Sequence, residues 1–153
     1  MKGERFVIRN MEEADLPGVL SIERSSFPKP WTEYMFLCQL ELGDIAVNLV
    51  AMDGGEVTGY AAAWVAADEI HLLSIAVRPE RRRKGCAEAL LRNVIQRGRE
   101  KGGRCMILEV RVSNAPAKRF YDKHGFGVIG TRKGYYRETG EDAIVMELII
   151  DRD

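Results

Sequence analysis

Residues 78–95 read RPERRRKGCAEALLRNVI, and this stretch decides the fold. A turn-forming proline, Pro79, leads into a cationic run at residues 81–84, and Gly85 then precedes an amphipathic helical pattern. A loop of small residues at a helix start leaves backbone N–H groups without an internal partner, and the helix dipole makes that end positive. The stretch therefore predicts a cradle for a phosphorylated ligand.

The sequence on either side places this loop in an α/β fold. Upstream, residues 70–77 (IHLLSIAV) predict a largely buried strand. Downstream, apolar or small residues recur at helical spacing, so one helix face is expected to be buried: Ala87, Leu90, Leu91, Val94, Ile95 and Gly98. The loop thus follows the carboxyl end of a strand, where α/β folds bind ligands. The patterns GxxxxGK[ST] and GxGxxG are absent, which excludes a Walker loop and a dinucleotide fingerprint.

The composition limits the class of protein. The 153 residues are 46% hydrophobic and 30% charged, which favours one domain, residues 1–153, with a sizeable core. Lys plus Arg and Asp plus Glu each number 23, so the formal net charge is zero. A neutral chain is not built to coat nucleic acid or an anionic membrane. The basic run is then a local device, with a solvated basic face or a weak nucleic-acid patch as its alternatives.

Cysteine and histidine usage favours a reducing compartment and no metal site. Cys38, Cys86 and Cys105 form no CxxC pair and no disulfide framework. The two histidines, His71 and His124, do not give a zinc-ligand spacing. The first residues lack an apolar signal-peptide core, and no apolar run approaches ~18 residues. We therefore expect a cytoplasmic protein without a bound metal.

Periodicity and turn residues predict the order β-α-α-β-β-β-α-β-α-β-β, a mixed sheet with helices on both faces. The first helix begins near Glu12 or Asp15 and is broken by Pro28 and Pro30. Residues 134–142, GYYRETGED, are expected to join the last two strands. The strands are predicted at 6–9, 47–52, 57–66, 70–77, 105–110, 126–132 and 143–150, and the later helices at 33–42, after the loop to about 101, and 114–123.

The loop, its flanks and the element order resemble the GNAT family of acyl-CoA-dependent N-acetyltransferases. Arg82, Gly85 and Ala87 meet the family pattern [QR]-x-x-G-x-[GA], and LLSIAV before it and LEVRVSNAPAKRFYDKHGF after it are also similar. Three segments resemble the RimI-like N-terminal acetyltransferases most: SFPKPWT, LEVRVSN and GYYRETGEDAIVMEL. The resemblance implies the GNAT fold and direct transfer of an acetyl group from acetyl-CoA to the N-terminal α-amine of a protein.

Two catalytic residues are implied by the resemblance. Glu109 would be the general base, and Tyr121 would protonate the coenzyme A sulfur. The residues alone allow plainer roles, because a strand glutamate often faces solvent and a helix tyrosine often packs in the core. An α-amine has an ordinary pKa of about 8, so a modest base suffices. We expect burial to raise the pKa of Glu109 towards the working pH.

The resemblance also implies the groups that bind the two substrates. An N–H near Val77 would face the thioester carbonyl. The peptide would lie between Trp31 and the paired Tyr135 and Tyr136, although such tyrosines also suit the edges of a hairpin. Asn114 is equally suited to capping the helix that it begins. The implied coenzyme A contacts are Ile75, Ala76, Val77, Arg82, Arg83, Lys84, Gly85, Cys86, Ala87, Glu88 and Asn114.

Three further residues have plain or open roles. His71, on the strand before the loop, is either a partly buried, hydrogen-bonded imidazole or an aid to proton transfer, and it departs from the RimI-like pattern. His124 is expected at the surface, at the end of a helix. Cys86 has no base beside it, so we expect no covalent role for its thiol.

Other functions stay open at this point. The same fold can acetylate a lysine side chain or a small amine, such as a polyamine or an aminoglycoside. Alternatives of other classes are a catalytically silent coenzyme A-binding module and nucleic-acid binding through residues 81–84. The implied partner is a protein N-terminus, for example that of a ribosomal protein, with no nucleic acid and no membrane. The sequence leaves open whether the chain is a monomer or a homodimer.

Overall fold

The protein is described by a computed structural model that covers residues 6–150, within the predicted domain bounds of 1–153. The predicted order of strands and helices is confirmed, and most bounds agree within a few residues. The elements are β1 (Val7–Asn10), α1 (Leu16–Ser26), α2 (Glu33–Leu40), β2 (Ala46–Asp53), β3 (Glu56–Ala66), β4 (Glu69–Val77), α3 (Cys86–Glu100), β5 (Cys105–Arg111), α4 (Ala115–Lys123), β6 (Gly127–Tyr136) and β7 (Glu141–Ile149).

The strands form one mixed sheet in the order β1-β2-β3-β4-β5-β7-β6. Neighbouring strands are antiparallel except β4 and β5, which are parallel. These two pair only between residues 69–71 and 105–107, although β4 continues to Val77 and β5 to Arg111. The sheet therefore splits at its centre, and the edge of β4 that faces the split has no strand partner within residues 6–150.

Helices cover both faces of the sheet, as the alternation of elements predicts. On one face, α1 and α2 bury apolar side chains such as Val19 and Phe36 against Tyr60 of β3. On the other face, α3 and α4 pack over a larger cluster that includes Leu90 and Tyr121. Burial of this apolar surface, at roughly 25 cal/mol per Å², is the main force that holds the helices onto the sheet.

Gly98 explains how closely α3 approaches the sheet. A Cβ atom at this position would lie only 2.2 Å from Cδ1 of Ile70 on β4. Glycine costs about 1 kcal/mol relative to alanine inside a helix, but here any side chain would push the helix outward. The close contact holds the last turn of α3 against the start of β4. Because the helix runs antiparallel to the strand, the start of α3 lies towards the carboxyl end of β4, where the predicted cradle lies.

The last hairpin differs from the prediction. The segment 134–142 was expected to be a loop, but β6 continues to Tyr136 and β7 already begins at Glu141. Gly134 adopts a φ of +60° inside the strand, where the register shifts, and its N–H donates to Oδ1 of Asp142 at 2.8 Å. Both Tyr135 and Tyr136 therefore stand on a hydrogen-bonded strand rather than on a loop.

None of the helices within residues 6–150 has the length and apolar character of a membrane span.

Candidate active site

The predicted cradle forms at the N-terminus of α3. Gly85, the residue before the helix, has a φ of +86°, and Arg83 has a φ of +67°. Left-handed residues of this kind bend the chain so that backbone N–H groups line a concave surface that attracts anions. No side chain of residues 6–150 caps this helix end. Its first N–H groups are thus available to a ligand, and the helix dipole adds to their positive potential.

A cavity of about 730 Å³ opens in front of this loop, and we name it the α3 cavity. Its lining comes from the end of β4, from the loop with the start of α3, and from α4. Of the predicted coenzyme A contacts, Lys84 does not line the cavity, whereas these residues do: Ile75, Ala76, Val77, Arg82, Arg83, Gly85, Cys86, Ala87, Glu88 and Asn114.

We expected the cationic side chains of the loop to face a ligand, but two of them bind other groups of the protein instead. Arg81 pairs with two carboxylates of the β2–β3 hairpin, Asp53 and Glu56. Arg82 donates from Nε to the carbonyl oxygen of Val77 at 3.0 Å, which ties the loop to the end of β4. These two side chains therefore shape the cradle, and the backbone N–H groups at the start of α3 add to its positive potential.

Cys86 lines the α3 cavity, but its thiol packs in the core. Its side chain is 1% exposed, and Sγ lies 3.8 Å from the hydroxyl oxygen of Thr58 in the core. The thiol is thus directed away from the ligand space, because the apolar face of α3 begins at this residue.

A second cavity, of about 590 Å³, lies between the segment FPKPW (residues 27–31) and the β6–β7 hairpin, and we name it the hairpin cavity. Four residues to which the family resemblance assigns a role at the acceptor amine or peptide line this cavity: Glu109, Trp31, Tyr135 and Tyr136. The two cavities adjoin where β4 and β5 diverge, since they share the lining residues Ser26, Phe27, Ile75, Asn114, Ala117 and Tyr121.

Glu109 is held by two partners from other strands. Its side chain is 10% exposed, and Oε1 lies 2.8 Å from Nε2 of His71. His71 pairs in register with Ile107, so Glu109, two residues further along β5, lies on the same face of the sheet. On the other side, Nε of Arg132 on β6 lies 3.9 Å from Oε2.

The electrostatics of Glu109 contradict one expectation. The hydrogen bond from His71 lowers the pKa of the Glu109 carboxyl below its ordinary value, and this effect outweighs the opposing effect of burial. The prediction of a raised pKa was wrong because nothing local in the sequence shows that His71, 38 residues earlier, faces this carboxylate. Glu109 is therefore ionised at neutral pH and free to accept a proton.

Tyr121 is both a core residue and a cavity residue. Its side chain is 8% exposed and lies edge-on to Phe120 and Phe126, with ring centroids 5.3 Å apart in each pair. Burial raises the pKa of its phenol well above the ordinary value, and Tyr136 adds to this effect. The phenol keeps its proton at neutral pH, at the point where the two cavities meet.

Asn114 adopts the plainer of its two predicted roles, while also lying at the site. Its Oδ1 accepts a hydrogen bond from the backbone N–H of Ala117 at 3.2 Å, which caps α4. The residue also lines both cavities. The cap uses the amide oxygen, so it does not engage the NH₂ group of the same side chain.

Arg111 is a site residue that the sequence analysis missed. Its guanidinium lies 4.0 Å from the ring centroid of Tyr136 and pairs with Glu138 and Glu141 of the β6–β7 hairpin. The side chain is 13% exposed. Arg111 thus binds the hairpin to β5 and holds Tyr136 beside the cavity. Its position two residues after Glu109, on the same face of a strand, was the available signal.

Glu23 is a second missed residue, and it fixes the opposite wall. Although it is 2% exposed, Oε2 accepts the backbone N–H of Trp31 at 2.8 Å, and Oε1 accepts the hydroxyl of Tyr60. Burial raises the pKa of this carboxyl. The bonds hold the FPKPW segment against β3. A glutamate on the apolar face of a predicted helix was the sign of a buried polar contact.

His124 does not lie free at the surface, contrary to expectation. Nδ1 lies 2.8 Å from the carbonyl oxygen of Phe120, and Nε2 lies 2.9 Å from Oε2 of Glu88. Its side chain is 17% exposed. The last turn of α4 packs near the first turn of α3 at the edge of the α3 cavity, and this places His124 against Glu88.

The sequence profile of the acetyltransferase (GNAT) family matches residues 16–126, which is more than half of the chain. The chain belongs to the GNAT acetyltransferase family. The resemblance, the mixed α/β fold and the enzyme class are confirmed. Within residues 6–150, this GNAT enzyme has no cluster of three or more His, Cys, Asp or Glu side chains arranged to hold a metal ion.

Several GNAT relatives match over nearly their full length. The [ribosomal protein bS18]-alanine N-acetyltransferase of Escherichia coli (strain K12) is 36% identical over 145 residues, 94% of this chain and 97% of the relative. The crystal structure of the E. coli enzyme gives a TM-score of 0.86 at 34% identity and covers 97% of this chain and 96% of that one. A Bacillus subtilis (strain 168) protein with the same name, given provisionally, is 40% identical over 147 residues, 96% of this chain and 97% of its own. An N-alpha-acetyltransferase of Saccharolobus solfataricus is 34% identical over 158 residues, which cover 95% of this chain and 93% of the relative.

Proposed function

We propose that this GNAT enzyme transfers the acetyl group of acetyl-CoA to the N-terminal α-amine of a protein, with a ribosomal protein that begins with alanine as the acceptor. One observation carries the proposal: an ionised Glu109 lines a cavity walled by Trp31, Tyr135 and Tyr136, and this cavity adjoins the α3 cavity at Tyr121. The names of the bacterial relatives support the choice of acceptor.

The α3 cavity suits coenzyme A in shape and chemistry. The edge of β4 that the split leaves without a strand partner can hydrogen-bond the amides of a pantetheine arm, and the start of α3 can bind a diphosphate. Residues 75–77, the backbone of residues 83–88 and Asn114 would hold it. When bound, acetyl-CoA supplies an acetyl thioester, which the acceptor amine attacks directly.

Glu109 accepts the proton that the amine loses, directly or through a water molecule. An α-amine with an ordinary pKa of about 8 is roughly one-tenth neutral at pH 7, so little basicity is required of the enzyme. A carboxylate with a lowered pKa is a weak base, but it is always ionised at neutral pH. His71 keeps the carboxylate in one orientation, and this role is consistent with its position as a hydrogen-bonded imidazole.

Tyr121 donates a proton towards the sulfur as the carbon–sulfur bond breaks. Its raised pKa keeps the phenol protonated, and the packing of its ring against Phe120 and Phe126 fixes the position of the phenol oxygen. The low polarity of these surroundings makes an unprotonated sulfur costly, which favours the proton transfer.

The acceptor side selects a peptide rather than a small amine. Tyr135 and Tyr136 stand on a strand that Arg111 holds rigid, and Trp31 faces them across the hairpin cavity. Burial, with a contribution from Tyr135, raises the pKa of Tyr136 to about 12, so its hydroxyl remains a donor for a peptide carbonyl. A small amine has no backbone to use these contacts.

The test is a panel of acetylation rates with acetyl-CoA. We expect short peptides with a free N-terminal alanine to react at least about tenfold faster, in kcat/KM, than polyamines, aminoglycosides or N-terminally blocked lysine peptides. Tyr136→Phe should weaken peptide use and leave the Kd of coenzyme A unchanged, and Tyr34→Phe, at a 73% exposed position, is the matched control. Equal losses for peptides and small amines would contradict the proposed acceptor.

A further inference from the structure

His124 and Glu88 form a pair that the proposed reaction does not yet use. Both ring nitrogens of His124 face atoms that accept hydrogen bonds: Nδ1 faces the carbonyl oxygen of Phe120, and Nε2 faces the Glu88 carboxylate. A neutral imidazole carries only one N–H group. Both contacts are hydrogen bonds only if an additional proton is present, on His124 or on the carboxyl group of Glu88.

The extra proton fixes the charge of the pair at zero. When the proton is present, the pair is either an imidazolium with a carboxylate or two neutral groups, and its net charge is zero. When the proton is lost, the pair carries one negative charge and one of the two hydrogen bonds is lost. The His124 contact lowers the pKa of Glu88, which favours the form with the proton on the imidazole.

The pair lies where this charge matters most. Glu88 belongs to the first turn of α3, and both Glu88 and His124 line the α3 cavity. A bare carboxylate here would oppose the positive potential with which the helix start attracts a diphosphate. Among the described residues that line the α3 cavity, Glu88 is the only one with a carboxylate.

We propose that His124 is part of the diphosphate-binding site: as an imidazolium it neutralises Glu88 and keeps the cradle at the start of α3 electropositive. The inference rests on the proposed function, because it takes the ligand of the α3 cavity to be a diphosphate nucleotide. Binding of that ligand then weakens when His124 loses its proton.

Other charges around the pair do not remove this dependence. On α3, Nη1 of Arg92 lies 3.8 Å from Oε1 of Glu88, the oxygen that His124 does not contact. On α4, Lys123 also acts on Glu88 and lines the same cavity. Arginine and lysine side chains ordinarily stay charged between about pH 6 and pH 8.5, whereas histidine is the side chain that ordinarily changes charge in that range.

The experiment is calorimetric titration with 3′-dephospho-coenzyme A at about pH 6 and about pH 8.5. This probe keeps the diphosphate but lacks the 3′-phosphate, a monoester that itself titrates near pH 6. We expect the Kd of the unaltered protein to rise roughly three- to tenfold over this range, the size expected for one partly solvated unit charge near the ligand.

Three variants separate the charge of the pair from its structural role. His124→Gln should bind weakly at both pH values, Glu88→Gln tightly at both, and the double variant should behave as Glu88→Gln does. Glu100→Gln removes a carboxylate from the other end of α3 and should keep the original pH dependence. Melting temperatures measured beside each titration establish that the variants are folded.

The outcomes distinguish the two levels of the argument. A His124→Gln variant that keeps the original pH dependence, or a double variant as weak as His124→Gln alone, overturns the role of His124 and leaves the proposed function standing. If the unaltered protein binds the probe at neither pH, both the role of His124 and the proposed function are overturned.

Discussion

The two cavities of this protein are built in different ways. The α3 cavity is made largely by backbone: an unpaired strand edge, two left-handed residues and an uncapped helix start. The hairpin cavity is made by side chains that meet from distant parts of the chain, such as the Glu109–His71 pair and the contact of Arg111 with Tyr136. The comparison indicates that the α3 cavity binds the phosphorylated ligand and the hairpin cavity selects the acceptor, and that substitutions can alter one without the other.

If the two parts are separable, removing the carboxylate of Glu109 affects catalysis alone. We expect Glu109→Gln to lower kcat by about 10²- to 10³-fold, because the amide cannot accept the proton. The Kd of coenzyme A should not change. Glu69→Gln, at an exposed position at the start of β4, is the matched control. Steady-state kinetics with an alanine-initiated peptide measure the effect, and a variant with full activity would refute the assignment.

Tyr121 lies at the boundary of the two cavities, and its substitution sharpens the comparison. Tyr121→Phe removes one oxygen from a packed aromatic cluster, so the fold should persist. We expect kcat to fall by about 10- to 10²-fold, with little change in the KM of either substrate. A loss confined to the KM of acetyl-CoA would instead indicate a binding role.

Arg111 tests the acceptor half without touching the reacting groups. Arg111→Met keeps an apolar stem but loses the contact with Tyr136 and the pairs with two glutamates. We expect the KM of the peptide to rise about tenfold through a looser hairpin, while the Kd of coenzyme A is unchanged. Equal weakening of both would show that the cavities are not separable at this residue.

Gly85 tests the cofactor half in the same way. Alanine at a φ of +86° costs about 1 kcal/mol of backbone strain, although its Cβ would meet no atom within 4 Å. We expect Gly85→Ala to weaken coenzyme A binding by about fivefold, with an unchanged KM for the peptide. Calorimetry measures the Kd of coenzyme A, and saturation kinetics measure the KM of the peptide. A change in the peptide KM alone would contradict the separation of the two cavities.

The pH dependence of Glu109 provides the smallest and most local test. The pKa of Glu109 in the folded protein lies below its ordinary value. The ionised carboxylate therefore stabilises the fold at pH values above the ordinary pKa, and this stabilisation is lost as the pH falls through the folded-state pKa. His71→Ala removes the main cause, and the pKa of Glu109 should rise. The ¹³C shift of its carboxyl carbon, followed from pH 3 to 7, reports this; an unchanged titration would show that His71 does not control the charge.

The same contrast explains what the sequence could predict. The strand order, the helices and the α3 loop follow from local patterns, because periodicity, Gly85 and the prolines act within a few residues. The pairing of His71 with Glu109 and the pairing of His124 with Glu88 depend on contacts between residues far apart in the chain. Single-sequence patterns contain no information on such pairs, so the sign of the Glu109 pKa shift could not be predicted.

The most direct test of the central claim is to locate the acetyl group on a peptide that begins with alanine and contains one internal lysine. After limited reaction with acetyl-CoA, fragment-ion mass spectrometry distinguishes the α-amine from the ε-amine. The account predicts acetylation of the α-amine, at a rate that Glu109→Gln lowers by at least about 10²-fold. Acetyl groups found mainly on the lysine, or a rate unaffected by the substitution, would contradict it.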